Sequence, residues 1–288
     1  MNTRLKIPVI DFKTMFDNCT DNIRDTEKRS KARIIGYKAD IEENRKKYIT
    51  NMKSFEIFEE KFSSPISSAH FEIFKKDMSW LYTNKYVKKN GKGRQYYDLI
   101  KSNVKNNRCP YCLHFDIEDL DHYLPKSVYP SLSLTTENLI PACKTCNTKK
   151  SESKDLFPHP YFDEVDNYVF IKCNIVFGDT DVEFVFEINE EDVPVKLLNK
   201  IENFAEITGM LEIYSTNAKI DFNMRQNSLM RSLNNQQSLE YDFQDMLDGA
   251  EQVLGKNCWQ AAFYRELLEK HERISQYLKL LQLEKRLS

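Results

Sequence analysis

Two Cys-x-x-Cys pairs, Cys109/Cys112 and Cys143/Cys146, stand 30 residues apart and constrain this chain more than anything else in it. A Cys-x-x-Cys turn aims two sulfurs at one metal, and two such turns complete a closed tetrahedral zinc site. The separation is longer than in the common zinc ribbons. Zinc bound to Cys109, Cys112, Cys143 and Cys146 is therefore expected to staple the two ends of an inserted loop. All-thiolate coordination leaves no open position, so the expected role of this metal is structural. Four unrelated buried cysteines would not explain two matched spacings.

The loop carries a different kind of chemistry. Asp121-His122-Tyr123-Leu124-Pro125-Lys126 pairs a carboxylate with an imidazole, and residues 117–122 read as a strand ending on that pair. Glu137-Asn138-Leu139-Ile140-Pro141-Ala142 leads into the second cysteine pair, and Asn147-Thr148-Lys149-Lys150 follows in what reads as a helix. Strand, strand and helix in that order bring Asp121, His122, Asn138 and Asn147 together. Soft thiolates around hard oxygens and an imidazole suggest a small metal-dependent catalytic core.

Charge is distributed to match. The net charge of −2 says nothing about partners, but eight bases and one acid fall between Lys85 and Arg108, and ten acids and one base between Tyr161 and Asp192. The basic stretch runs directly into the first cysteine pair, where a polyanion would need to dock. Lys92, Arg94, Lys101, Lys105 and Arg108, with Tyr86, Tyr96 and Tyr97 interleaved, are candidates for that contact. Residues 239–255 carry five acids and no base, an unsuitable surface for phosphate. No apolar run reaches the length of a membrane span, and the N-terminus lacks the apolar stretch of a signal peptide. A cytoplasmic protein with no membrane contact is expected. Seven cysteines then favour metal over disulfides, with Cys19, Cys173 and Cys258 as small buried hydrophobes.

Residues 1–20 read as an irregular lead-in, and about 22–51 as one long exposed helix with a narrow buried stripe. Phe55, Phe58 and Phe62 fall at helical spacing, as do Phe71, Phe74 and Met78. A helix from Gln95 to Val104 is expected to deliver the chain to Cys109. Tyr168 to Phe177 and Val182 to Ile188 read as a hairpin, with Val182, Phe184, Phe186 and Ile188 alternating with Glu183, Val185 and Glu187 as in a half-buried strand. Helices are expected near 194–208, 211–234, 237–254, 257–270 and 272–286, with Gly209 and Gly255 as stops. The fold class is α+β, mainly helical around a small ββα core and a β-hairpin. Four regions are expected: a helical N-terminal region with the basic segment at 1–104, the core at 105–160, the hairpin at 161–192 and a helical C-terminal region at 193–288. His114 reads as a surface or supporting histidine and His159 as a turn histidine behind the core; His70 and His271 carry no signal.

The elements Cys-x-x-Cys, Asp-His-x-x-Pro-Lys, Asn-Leu-x-x-x-Cys and Cys-x-x-Cys-Asn-x-x-Lys, in that order, resemble an HNH endonuclease of the zinc-stapled ββα-metal (His-Me finger) branch. The resemblance covers about residues 105–156, and Asn147 stands where many members have His. It implies that His122 takes a proton from the attacking water. It also implies that Asp121 and Asn147 hold a catalytic Mg²⁺ or Mn²⁺, and that Asn138 orients His122. Lys126, Lys149 and Lys150 would meet the phosphate backbone, of DNA ahead of RNA. The wording Asp-His-Tyr-Leu-Pro-Lys and the helical flanks are also similar to nuclease subunits of bacterial antiphage systems, such as Septu-like or retron-linked pairs, which implies an ATPase protein partner. A non-catalytic zinc-stapled adaptor and a transposition- or repair-associated nuclease are the alternatives.

Overall fold

A computed structural model describes the chain apart from residues 1–4, 55, 65, 152–155, 179–180, 235–237 and 288. It divides into two compact units. Of the described residues, one holds 5–110 together with Phe115–Asp163; the other holds Tyr111–His114 and the chain from Glu164 onward. The described residues are mainly helical, with two separate antiparallel β-hairpins.

The first unit begins with helices. α1 (Phe12–Thr20) occupies part of the expected lead-in. The Asp11 carboxylate accepts from Thr14 N at 2.8 Å, capping its first turn. Phe12, Met15, Phe16 and Cys19 all point into the core, a helical spacing that supplies the folding force. The single long helix expected over 22–51 is two helices, α2 (Lys31–Gly36) and α3 (Lys38–Ser54). Gly36, a poor helix former, ends α2, and Ile34 and Ile41 still reach the core on either side of the break.

Residues 56–62 are not helical, and Phe55 lies outside the described residues. Phe58 is buried all the same. This segment is tied to α3 by side-chain amides: Asn51 Nδ2 donates to the Ile57 carbonyl at 2.7 Å and Asn44 Oδ1 accepts from Lys61 N at 2.8 Å. α4 (Ser68–Leu81), capped by Ser67, continues into a π-helical turn, Tyr82–Val87, before α5 (Arg94–Lys101). Gly93 is required where α5 starts, because a Cβ there would lie 2.6 Å from the Cys19 sulfur and 2.8 Å from the Lys85 carbonyl oxygen. Leu120, Leu134 and Leu139, from the segment between the two cysteine pairs, join Phe16, Phe74 and Tyr86 in one apolar cluster, so the small β-hairpin is seated on the helices.

In the second unit, β3 (Ile171–Phe177) and β4 (Val182–Ile188) pair antiparallel with Cys173 opposite Phe186. The inward alternation of β4 holds, with Val182, Phe184 and Phe186 buried. Asp179 and Thr180 of the connecting turn lie outside the described residues. Five helices follow: α7 (Val195–Thr208), α8 (Met210–Asn234), α9 (Leu239–Leu254), α10 (Trp259–Glu269) and α11 (His271–Leu287). Gly209 stops α7 in the left-handed region, φ 61°, where glycine carries no Cβ penalty. Phe184 packs against Phe222 of α8 at 5.3 Å and Phe263 of α10 at 5.0 Å between ring centroids. Asn257 fixes the entry to β3, accepting from Phe170 N at 2.8 Å and donating to the Tyr168 carbonyl at 2.9 Å. No described helix is long and apolar enough to cross a membrane.

Candidate active site and metal centre

β1 (Asp119–His122) and β2 (Leu139–Ala142) pair antiparallel, with Asp121 opposite Ile140 and His122 opposite Leu139, and α6 (Lys144–Lys150) follows at once. This is the strand, strand, helix order read from the sequence. The sulfurs of Cys109 and Cys112, ahead of β1, and of Cys143 and Cys146, at the start of α6, all lie within 4.8 Å of one another, and all four residues are buried. Four converging cysteine sulfurs, with no fifth donor grouped with them among the described residues, fit a tetrahedral zinc. Cys143 also caps α6, its sulfur accepting from Cys146 N at 3.3 Å. Cys19, Cys173 and Cys258 are buried away from the cluster; burial pushes the Cys19 thiol up to about 12, so it stays protonated.

Asp121, His122 and Asn147 line one cleft of about 540 Å³, together with Asp119, Lys126, Ser127, Thr148 and, from the helical frame, Tyr82 and Tyr97. His122 Nε2 sits 3.1 Å from the Ser133 carbonyl oxygen. A carbonyl only accepts, so Nε2 carries the proton in the neutral ring and Nδ1 is left as the basic nitrogen. Burial lowers the His122 pKa to about 3, helped by Lys126 and Lys150 and opposed by the Ser133 carbonyl. The imidazole is thus neutral at ordinary pH.

Asn138 is fully buried, and its side-chain hydrogen bonds go to the backbone of Leu124 and Leu132. Its Oδ1 accepts from Leu124 N at 2.8 Å and its Nδ2 donates to the Leu124 carbonyl at 3.0 Å, while its backbone carbonyl accepts from Tyr123 N at 2.8 Å. It fastens the chain just after His122 and so acts on the position of the strand end. Beside it, Arg45 of α3 grips Glu137 with both ends of its guanidinium, Nε lying 3.0 Å from Oε2. Glu60 receives both the N–H and the hydroxyl of Ser131, at 2.7 and 2.6 Å. Neither anchor was foreseen in the sequence; both are single charged residues in helical or loop stretches, which look like ordinary surface until their partners are known.

The expected phosphate contacts separate. Lys126 lines the cleft, its ammonium 5.2 Å from the centroid of the Tyr82 ring. Lys149 is exposed on α6. Lys150 is wholly buried, with its ammonium 3.1 Å from Asp121 Oδ2 and 3.0 Å from the His122 carbonyl. Among the basic stretch, Lys92 pairs with Asp21, Lys101 donates to the Glu118 carbonyl, and Arg108 pairs with Asp116 at 2.9 Å. Arg94 binds Asp98 at 2.8 Å and stacks 4.5 Å from the Tyr97 ring centroid. Lys105 is exposed. None of these five lines the cleft with His122. His159 is a buried structural residue: Nδ1 accepts from Tyr161 N at 3.2 Å, Nε2 lies 3.0 Å from the Tyr48 hydroxyl, and its ring packs 4.0 Å from that of Tyr123. His114 lies 3.4 Å from Asn217 Nδ2.

The sequence of this region matches a known family. Residues 109–153 match the family described as HNH endonuclease. The chain is also similar to the Septu protein PtuB of Bacillus thuringiensis, 31% identical over 143 residues that cover 43% of this chain and 55% of that protein. It is similar to protein ea31 of Escherichia phage lambda, 36% identical over 95 residues that cover 29% of this chain and 30% of that protein. The chain therefore spans about half the length of the first relative and less than a third of the second. No solved structure matches it. The cysteine frame, the Asp-His strand and the following helix lie inside the matched stretch, and this chain carries an HNH endonuclease domain at residues 109–153.

Proposed function

We propose that this chain is a metal-dependent endonuclease that hydrolyses phosphodiester bonds of DNA, and that it acts as an effector in antiphage defence. The observation that carries the catalytic reading is the single cleft shared by Asp121, His122 and Asn147, with the imidazole held by Ser133 so that Nδ1 is its basic nitrogen. His122 Nδ1 accepts the proton of the attacking water. Asp121 and the side-chain oxygen of Asn147 are hard donors suited to one Mg²⁺ or Mn²⁺, with the remaining positions left to water and phosphate oxygens. When bound, that ion stabilises charge on the phosphate and on the departing 3′ oxygen. Lys126 supplies a cation at the cleft for a phosphate, and exposed Lys149 extends it. Lys92, Arg94, Lys101, Lys105 and Arg108 form a more distant electrostatic track. The zinc holds the cysteine frame and takes no part in the reaction.

The defence role rests on the similarity to the Septu protein PtuB, and with it a protein partner, for which an ATPase is the proposal. A nicking assay on supercoiled plasmid with Mg²⁺, Mn²⁺ and EDTA tests the enzymatic part. The parent protein should cut with metal and not with EDTA, and His122→Ala should be slower by roughly 10²-fold or more, with zinc content and melting retained. Equal cutting by contaminant-free parent and His122→Ala would remove His122 from the mechanism. An adaptor would bind without cutting under any of these conditions.

A further inference from the structure

The cleft has a wall that the HNH stretch does not supply. Tyr82 opens the π-helical turn after α4, far outside residues 109–153, and lines the cleft with Asp121, His122, Lys126 and Asn147. Single π turns inside helices are rare and recur at functional sites. The ring of Tyr82 stands edge-on to the His122 imidazole, 4.5 Å between centroids at 66°, and the Lys126 ammonium lies over it. On the other side it stacks 5.8 Å from Tyr86. Held on three sides, the ring has little room to turn.

Its hydroxyl is the unusual part. Tyr82 is only 7% exposed, and buried hydroxyls nearly always find a partner. Among the buried tyrosines around the core, Tyr123 donates to the Phe157 carbonyl at 2.8 Å, Tyr161 to the Leu139 carbonyl at 3.2 Å, and Tyr48 meets His159, whereas the sealed hydroxyl of Tyr86 has no partner among the described residues. The Tyr82 hydroxyl makes no hydrogen bond to any described residue, yet unlike that of Tyr86 it is not sealed off from solvent. Burial, with Tyr97, Asp119 and Asp121 nearby, holds it well above the usual phenol range, so it is a proton-bearing donor.

We propose that the Tyr82 hydroxyl donates a hydrogen bond to a non-bridging oxygen of the scissile phosphate, a catalytic contact supplied by the helical frame and not by the HNH stretch. This rests on the nuclease reading above. A neutral donor that finds no acceptor among the described residues, beside the base that activates water and under a lysine that suits phosphate, fits an anionic acceptor that arrives with the substrate. A donor placed there strengthens as charge builds on the phosphate, which favours the transition state over the ground state.

Tyr82→Phe isolates the hydroxyl, because it keeps the ring against His122, Lys126 and Tyr86. Single-turnover cleavage of plasmid DNA, in duplex and single-stranded forms, should slow roughly 10- to 100-fold at saturating protein, with melting temperature, zinc content and DNA affinity unchanged. Tyr86→Phe removes a sealed hydroxyl from the same stack and should cut at the parent rate. Parent-like cleavage by Tyr82→Phe overturns the proposal, as does an equal loss in Tyr86→Phe or a loss confined to affinity. A parent that shows no His122-dependent cleavage would instead sink the nuclease reading, and the role of Tyr82 with it.

Discussion

The ammonium of Lys150 lies 3.1 Å from Asp121 Oδ2, and the two side chains are 0% and 4% exposed. A lysine read from the sequence as a phosphate contact is thus the buried counter-charge of a carboxylate that the nuclease reading assigns to a divalent cation. Removing one partner of a buried pair leaves the other charged and unsolvated, typically at a cost of about 3–5 kcal/mol. Lys150→Met should lower stability by that order in EDTA. Mg²⁺ or Mn²⁺ should raise the melting temperature of Lys150→Met more than that of the parent, since a cation at Asp121 replaces the lost charge. Chemical denaturation with and without metal measures both, and equal metal responses would separate Asp121 from the metal.

Zinc should be inseparable from the fold of the cysteine frame. Structural zinc contributes its binding free energy directly to folding, and Cys109 supplies one of four sulfurs that lie within 4.8 Å of one another. Cys109→Ser is expected to lower zinc content and melting temperature together, and a strong chelator should destabilise the parent in the same direction. Metal analysis beside thermal melting checks it; full zinc occupancy with unchanged melting would contradict the assignment.

Glu60 gives the fold a pH dependence of definite sign. Burial raises its carboxyl to about 7, against the lowering effect of the two Ser131 hydrogen bonds. Its folded pKa lies above the unfolded value, so the associated stability is present below about 4.5 and is lost as pH rises through about 7. Gln keeps an acceptor for Ser131 and does not titrate. The stability of the parent relative to Glu60→Gln should therefore fall between pH 4.5 and 8, by no more than about 3 kcal/mol. Urea melts at several pH values read this, and a difference that grows with pH would refute it.

Arg45 and Glu137 test whether α3 supports the site from a distance. The pair is bidentate and Glu137 is nearly enclosed. Arg45→Met leaves that carboxylate buried without its partner, next to Asn138. A stability loss of about 3–5 kcal/mol is expected, larger than for Lys92→Met, whose pair with Asp21 is half exposed at both ends. Equal losses in the two variants would show that Glu137 finds another partner.

What the sequence revealed, and what it hid, follows from how local each signal is. Cys109, Cys112, Cys143 and Cys146 announce their cluster by spacing alone, and β4 announces itself by alternation; neither signal needs a distant partner. α1 was missed in a stretch read as irregular, although Asp11 and the 12, 15, 16, 19 apolar pattern are local signals, and the break at Gly36 was missed in a stretch read as one helix. The stretch after Ser54 was not legible, because the amides of Asn44 and Asn51 hold it along α3 and override helical spacing. Burial of Lys150 was equally hidden: nothing in Asn-Thr-Lys-Lys distinguishes the lysine that faces solvent from the one that faces Asp121. Tyr82 lies 40 residues before His122 and meets it only once α4 and β1 have packed.

The acceptor that fixes the His122 imidazole is the main-chain oxygen of Ser133. Every amino acid brings that oxygen, so exchange of the side chain at 133 leaves the tautomer as it is. The polarity of the imidazole is inherited from the route of the polypeptide, and rerouting the loop is what would erase it.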